Sequence, residues 1–214
     1  MTNVAVPLWL DLLTVGIGAL QGALFAIFYK RFDLVGVFAV AILTGLGGGI
    51  LRDLLLTVGR PAAMQDKYIL TAVAAVVTAL IIGRWFKRAV NAVVFLDSAA
   101  MALFAIAGTY KATINLTSDL VAILLGIITA VGGGVLRDVV CRITPQIFTG
   151  GPLYATASAI GATLFIVLNN TSLNLNISVA ISALVIVAIQ MASVRFRIHL
   201  KPALPSLDFE DPSK

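Results

Sequence analysis

The sequence predicts an all-α integral membrane protein with seven transmembrane helices, arranged as two inverted three-helix repeats plus a seventh helix. Hydrophobic residues make up 60% of the 214 residues, charged residues only 12%, and the mean hydropathy is +1.04. Soluble domains carry about 25% charged residues, so a soluble fold is excluded. The apolar residues are grouped into long segments, and the pattern of the first half of the chain returns in the second.

Each predicted helix rests on one apolar segment, because a spanning helix needs about 20 mainly apolar residues. The seven segments are residues 8–29, 34–58, 68–83, 90–110, 120–141, 152–168 and 177–194. Short polar stretches separate them, and the third and sixth segments are the shortest. The residues that follow form a basic and then acidic tail that contains prolines.

The distribution of basic residues predicts the orientation in the membrane. Ten lysines and arginines fall on the side that contains the C-terminus, against three on the other side: Lys30, Arg31, Arg84, Lys87, Arg88, Arg142, Arg195, Arg197, Lys201 and Lys214 against Arg60, Lys67 and Lys111. Cytoplasmic loops carry the excess of positive charge. We therefore expect a multi-pass protein of the cell (inner) membrane with its N-terminus outside and its C-terminus in the cytoplasm.

An internal repeat links the two halves. "LDLLTVGIGALQG" at residues 10–22 matches "LDSAAMALFAIAG" at residues 96–108, which is an offset of 86. "TGLGGGILRD" at residues 44–53 matches "TAVGGGVLRD" at residues 129–138, an offset of 85. Three spans per repeat is an odd number, so the second copy enters the membrane from the opposite side. The predicted units are residues 1–88, 89–176, 177–195 for the seventh helix and 196–214 for a cytoplasmic tail.

The two glycine runs are the candidate pore elements. Three consecutive glycines are unfavourable in a helix, since each costs about 0.8–1.0 kcal/mol in helix propensity relative to alanine, so we expect them to have a specific role. Two explanations remain open: close packing of helices, or a kinked or unwound helix beside a water-filled path. The six glycines and the two threonines that open the motifs are Gly47, Gly48, Gly49, Gly132, Gly133, Gly134, Thr44 and Thr129. The threonines can bond their own backbone or offer hydroxyls to an ion.

Four charged residues follow the glycines inside the predicted spans: Arg52, Asp53, Arg137 and Asp138. A charge within the membrane costs about 2.5–3.5 kcal/mol on insertion scales, so we expect them to face the interior and pair with one another. Gly48 and Arg52 are one helical turn apart, which predicts a shared face. Whether the charged pairs gate a pore or only brace the helix crossing is left open.

The remaining polar residues argue against other classes of function. Asp11 and Asp97 lie near predicted span ends, and we favour helix capping for both. Cys141 is the one cysteine of the sequence and His199 the one histidine, so we expect neither a transition-metal cluster nor a nucleophile–base pair. The protein is therefore not expected to be an enzyme. The basic residues flank apolar segments, which does not favour nucleic-acid binding.

The doubled "GGGILRD" and "GGGVLRD", the repeated "LD…G" openings and the three-plus-three-plus-one spans resemble the trimeric intracellular cation (TRIC) channel family, specifically a prokaryotic member. The resemblance implies a homotrimer with one pore per subunit, in which the second and fifth helices kink at their glycines around a path for monovalent cations, chiefly potassium. It implies no cofactor beyond permeant potassium or sodium ions, and membrane lipids as the surrounding partner. Inverted repeats suit equally well the alternative, a secondary transporter of a small solute such as glycine.

Overall fold

The computed structural model describes residues 6–83, 90–115, 117–148 and 153–198. Within these ranges the chain forms seven α-helices and no strand, which confirms the predicted fold class. The helices are α1 (Leu8–Phe25), α2 (Leu34–Leu56), α3 (Asp66–Gly83), α4 (Val90–Ile114), α5 (Asp119–Val140), α6 (Tyr154–Asn169) and α7 (Leu175–Phe196). A π-helical turn, Ala26–Lys30, extends α1, and a 3-10 turn, Ala62–Met64, precedes α3. The predicted basic loop at residues 84–88, the start of the sixth span at Pro152, and His199 with most of the tail lie outside the described residues.

The observed helices agree with the predicted spans except for the end of α4. The sequence predicts an end at residue 110, whereas the helix continues to Ile114. Lys111 belongs to the added turn, and its ammonium forms an ion pair with Asp53. The charge that indicated a loop is therefore compensated inside the helix bundle.

Six of the helices in the described ranges are long and apolar enough to cross a membrane, and α6 is shorter. Its 16 residues extend about 24 Å at 1.5 Å per residue, somewhat less than the roughly 30 Å of a hydrocarbon core. Helix α6 packs against α4, α5 and α7. Neighbouring helices thus supply much of its apolar environment.

Side-chain caps mark where three helices begin. Asp33 accepts a hydrogen bond from the backbone N–H of Gly36 at the start of α2, and Ser118 caps α5 through Val121. Asn174 caps α7 by accepting from the N–H of Asn176. Each cap satisfies a backbone donor that the first turn of a helix leaves free.

The helix contacts repeat in the two halves of the bundle. In the first half α1 packs on α2 and α3, and in the second α4 packs on α5 and α6. The halves meet through α1 against α4 and α2 against α5, while α7 packs on α4 and α6. The α2–α5 contact therefore lies between the two repeats, and it carries both glycine motifs.

Candidate functional site

Helices α2 and α5 are in backbone contact at their glycine runs. A Cβ atom at Gly48 would collide with the carbonyl oxygen of Thr129, and one at Gly133 would collide with the carbonyl oxygen of Thr44. A Cβ at Gly132 would lie 3.5 Å from the Cα of Gly48. Both runs lie within uninterrupted α-helices, so an unwound segment is not observed. The glycines permit the close approach, which is the packing explanation.

The three glycines of each run meet different surroundings. A Cβ at Gly47 would lie 2.6 Å from Leu136 Cδ1, the far end of a flexible side chain. At Gly49 the nearest atom is Nη2 of Arg52, 4.0 Å away. Gly48 and Arg52 lie one turn apart in the same continuous helix; the backbone of Gly48 contacts α5, and the end of the Arg52 side chain lies nearest to Gly49. Long helical side chains point back toward the N-terminus, which covers the preceding turn.

The two motif threonines bond to their own helices. The hydroxyl of Thr44 donates to the carbonyl of Val40 at 2.7 Å, and that of Thr129 donates to the carbonyl of Leu125 at 2.6 Å. Both side chains are buried. Of the two roles left open by the sequence, backbone bonding is the one observed, and the donated hydrogen leaves lone pairs on each hydroxyl oxygen.

The first ionic group, here named the Arg52 cluster, consists of Arg52, Asp11, Asp53, Tyr68 and Lys111. Arg52 Nε lies 2.7 Å from Asp53 Oδ1 and Arg52 Nη1 lies 3.2 Å from Asp11 Oδ1. Lys111 Nζ lies 2.8 Å from the same Asp53 oxygen, and the Tyr68 hydroxyl lies 3.1 Å from Asp11 Oδ2. Two cations face two carboxylates, so the cluster is neutral.

The second ionic group, the Arg137 cluster, consists of Arg137, Asp97, Asp138, Tyr154 and Phe25. Arg137 Nε lies 2.8 Å from Asp138 Oδ1 and Arg137 Nη1 lies 2.9 Å from Asp97 Oδ1. The Tyr154 hydroxyl interacts with Asp97. The guanidinium lies 4.5 Å from the centre of the Phe25 ring, a cation–π contact. One cation faces two carboxylates, so this cluster carries a net charge of −1.

The two clusters obey the repeat but differ at one position. Subtracting the offset of 86 from Lys111 gives Phe25, so the site of an ammonium in one cluster holds an aromatic ring in the other. This substitution alone accounts for the difference in net charge.

The capping role favoured for Asp11 and Asp97 is wrong. Pro7 occupies the N-cap position of α1, and Asp97 lies seven residues after the first residue of α4. Both carboxylates instead accept hydrogen bonds from the arginines. Buried guanidinium groups need more than one acceptor, and the adjacent aspartate satisfies only Nε. The predicted pairing of Arg52 with Asp53 and of Arg137 with Asp138 agrees with the geometry.

A second departure from the repeat lies beside the helix crossing. Phe104 is the counterpart of Gly18 at the offset of 86. Its ring packs between α1 and α2: a Cβ at Gly18 would lie 2.8 Å from Phe104 Cε2, and one at Gly48 would lie 3.4 Å from Cδ1. The crossing therefore has a bulky ring on one side and a glycine at the equivalent position on the other.

Sequence reasoning missed Tyr68, Tyr154, Lys111 and Phe104 as site residues. The tyrosines could have been found, because they are separated by the same 86 positions as Asp11 and Asp97. Lys111 and Phe104 break the repeat, so comparison of the two halves passes over them.

Comparison with solved structures defines the class of the protein. The chain superposes on a solved structure that describes the structural basis for conductance through TRIC cation channels. The TM-score is 0.79 and the identity 27%, over 92% of this chain and 97% of the other. It superposes on a TRIC trimeric intracellular cation channel orthologue from Rhodobacter sphaeroides with a TM-score of 0.81 and 25% identity, covering 88% and 97%. The protein is thus a seven-helix membrane protein with the prokaryotic TRIC fold, as the resemblance predicted.

Sequence comparison gives the family. A model described as glycine transporter matches residues 8–84 and again residues 94–170, and the chain belongs to that family. A UPF0126 membrane protein of Deinococcus radiodurans is 36% identical over 156 residues, 72% of each chain. The UPF0126 inner membrane protein YadS of Escherichia coli K12 is 30% identical over 203 residues, 94% of this chain and 96% of that one. Both ends of the second family match lie 86 residues after those of the first, the offset of the repeat.

Proposed function

We propose that the protein is a channel for monovalent cations, chiefly potassium, with one conduction path per subunit beside the α2–α5 crossing. The observation that carries the proposal is the charge compensation of the two buried arginines. Each guanidinium has two carboxylate partners. The neutral Arg52 cluster does not repel a passing cation, and the Arg137 cluster, with its net charge of −1, attracts cations and repels anions.

The location of the clusters supports the same function. Arg52 and Asp53 follow the glycine run on α2, Arg137 and Asp138 follow it on α5, and the inverted repeat makes these helices antiparallel. The two clusters therefore lie at opposite ends of the crossing. Charged groups buried at membrane depth are costly and mark ion or substrate pathways. In this arrangement the Arg–Asp pairs brace the crossing and set the charge at both ends of the path.

The finer features of the proposal follow from the relatives. The Rhodobacter sphaeroides orthologue is described as trimeric, and we propose a homotrimer here. The Escherichia coli relative is described as an inner membrane protein, and we propose the same membrane. The distribution of basic residues adds the orientation, with the N-terminus outside and the Arg137 cluster on the cytoplasmic side. We propose no enzymatic activity and no cofactor, with potassium or sodium as the permeant ions.

A second candidate function is secondary transport of glycine, because the matching family model bears that description. Inverted repeats are also the architecture of many alternating-access transporters. The two functions differ in mechanism: a channel gives a flux that follows the electrochemical gradient, whereas a transporter saturates with substrate.

Purified protein in liposomes distinguishes the two. A potassium gradient across the vesicle should drive a rapid ion flux that rises with the gradient, and radiolabelled glycine should stay outside. Empty vesicles and vesicles with a double Arg52→Met, Arg137→Met variant serve as controls. Saturable glycine uptake without a potassium leak would replace the channel by the transporter.

A further inference from the structure

A cavity with both polar and apolar side chains in its wall opens next to the Arg137 cluster, between helices α1, α4, α5 and α7. Its volume is about 240 Å³, large enough for an ion with part of its hydration shell. The polar side chains in its wall include Gln21, Asp97, Arg137 and Gln190. The side chain of Asp97 is 14% exposed, so its carboxylate reaches the cavity while still paired with the arginine.

Two residues of this wall, Gln21 and Gln190, have buried amide oxygens without a hydrogen-bond partner among the described residues. Gln21 is 2% exposed and Gln190 is 3% exposed. Among the residues that the structure describes, no donor lies within hydrogen-bonding distance of the Oε1 atom of either side chain. Buried polar atoms without a partner are rare in native proteins, and an amide oxygen can only accept. As the side chains stand, both oxygens are shielded from solvent and have no donor among the described residues.

The charge of the surroundings selects a cation of low charge. Asp97 and Asp138 outnumber Arg137, and of the described residues that line the cavity Arg137 is the one cation. One added positive charge makes the cluster neutral, which is the state that Lys111 gives to the Arg52 cluster. An ion in the cavity would thus complete the charge balance that the repeat breaks at Phe25.

We propose that this cavity is a binding site for one monovalent metal cation of the potassium and sodium class, held by Asp97 and by the amide oxygens of Gln21 and Gln190, whose amide groups rotate toward the ion when it binds. Carboxylate and amide oxygens are the ligands that hard cations prefer, and a single net negative charge matches a single positive one. The proposal rests on the proposed function in one respect: it makes the site a resting place for the permeant ion at the Arg137 end of the path.

Thallium(I), an electron-rich substitute for potassium, can test the site directly. Crystals of the full chain grown with thallium should show an anomalous peak in contact with Asp97, Gln21 and Gln190. The double variant Gln21→Leu, Gln190→Leu keeps the side-chain volume and removes both oxygens, and it should lose the peak. An empty cavity in the wild-type crystals would overturn the proposal.

A solution measurement keeps the test independent of crystals and of ion flux. Potassium should raise the melting temperature of the detergent-solubilised wild type above that in choline at equal ionic strength, because a bound ligand stabilises the folded state. In the double variant the potassium concentration for half the shift should rise about tenfold or more. Gln65→Leu, on the exposed segment before α3, is the matched control and should behave as wild type.

Equal melting temperatures of the wild type in potassium and choline would overturn the site. Liposomes that conduct potassium alongside this result would leave the channel standing without the site. A potassium-specific shift in protein that does not conduct would support the site and reject the channel.

Discussion

Replacing Gly48 by alanine should separate helices α2 and α5, whereas the same replacement at Gly49 should not. The added methyl group at Gly48 would collide with the carbonyl oxygen of Thr129, a backbone atom that can move only with its helix. At Gly49 the nearest atom is 4.0 Å away, at the end of the Arg52 side chain. The two variants have the same chemistry and neighbouring positions, so each is the control of the other.

The magnitude follows from two opposing terms. Alanine gains about 0.8–1.0 kcal/mol over glycine in a helix, and this gain applies to both variants. At Gly48 it is opposed by overpacking, which costs about 1–3 kcal/mol in a close-packed interior. The two variants should therefore differ by about 1–3 kcal/mol in stability. For a chain of this length about 1 kcal/mol shifts the melting temperature by about 2–4 °C, so Gly49→Ala should melt higher by roughly 2–12 °C.

Thermal unfolding in detergent, followed by circular dichroism, measures the difference. Gly133→Ala repeats the test on the other helix, because a Cβ there would collide with the carbonyl oxygen of Thr44. Equal melting temperatures for Gly48→Ala and Gly49→Ala would refute the backbone contact. The glycines would then serve another purpose, such as a kink that forms during opening.

Two further predictions concern the positions at which the repeat is broken. Lys111→Met leaves Arg52 as the one cation paired with Asp53 among the described residues and gives the Arg52 cluster a net charge of −1, so the ratio of potassium to chloride permeability should rise in bilayer recordings. Arg60→Met, which removes an exposed charge before α3, should change this ratio little, and equal effects of the two variants would contradict a role for the cluster. Phe104→Ala should lower stability by about 3–5 kcal/mol and raise potassium flux by widening the space beside the crossing. Lower stability with unchanged flux would restrict Phe104 to packing.

The fold was predictable because its signals are local or periodic. Seven apolar segments predicted the spans, and the offset of 86 between the "LD…G" segments predicted the repeat that the helix contacts display. The pairing of Arg52 with Asp53 was also predictable, since the cost of a charge in lipid leaves few alternatives for adjacent residues of opposite sign.

The partners contributed by other helices were not predictable in the same way. Asp11 is 41 residues from Arg52, and the contact depends on the rotation of α1 against α2 about their axes. A carboxylate near the end of a span is often a helix cap, which favoured that role for Asp11. The buried guanidinium of Arg52 needs a second acceptor, however, and Asp11 supplies it. Lys111 looked like a loop residue because its partner, Asp53, belongs to the other repeat.

The cavity residues were hidden for a related reason. Gln21 aligns with Ala107 at the offset of 86, and Gln190 lies on the seventh helix, outside both repeats. Comparison of the two halves identifies the residues that they have in common. The proposed ion site instead uses residues that differ between the halves or lie outside both. Only the packing of α1, α4 and α7 brings these side chains to one cavity.

Current recording from the purified protein in planar bilayers tests whether the protein conducts cations. With potassium chloride at different concentrations on the two sides, we expect unitary currents that reverse near the potassium equilibrium potential, because both clusters present neutral or negative charge to the path. Reversal near the chloride potential would contradict the charge compensation of the arginines. Silent bilayers, together with saturable glycine uptake by the same preparation, would contradict the channel itself.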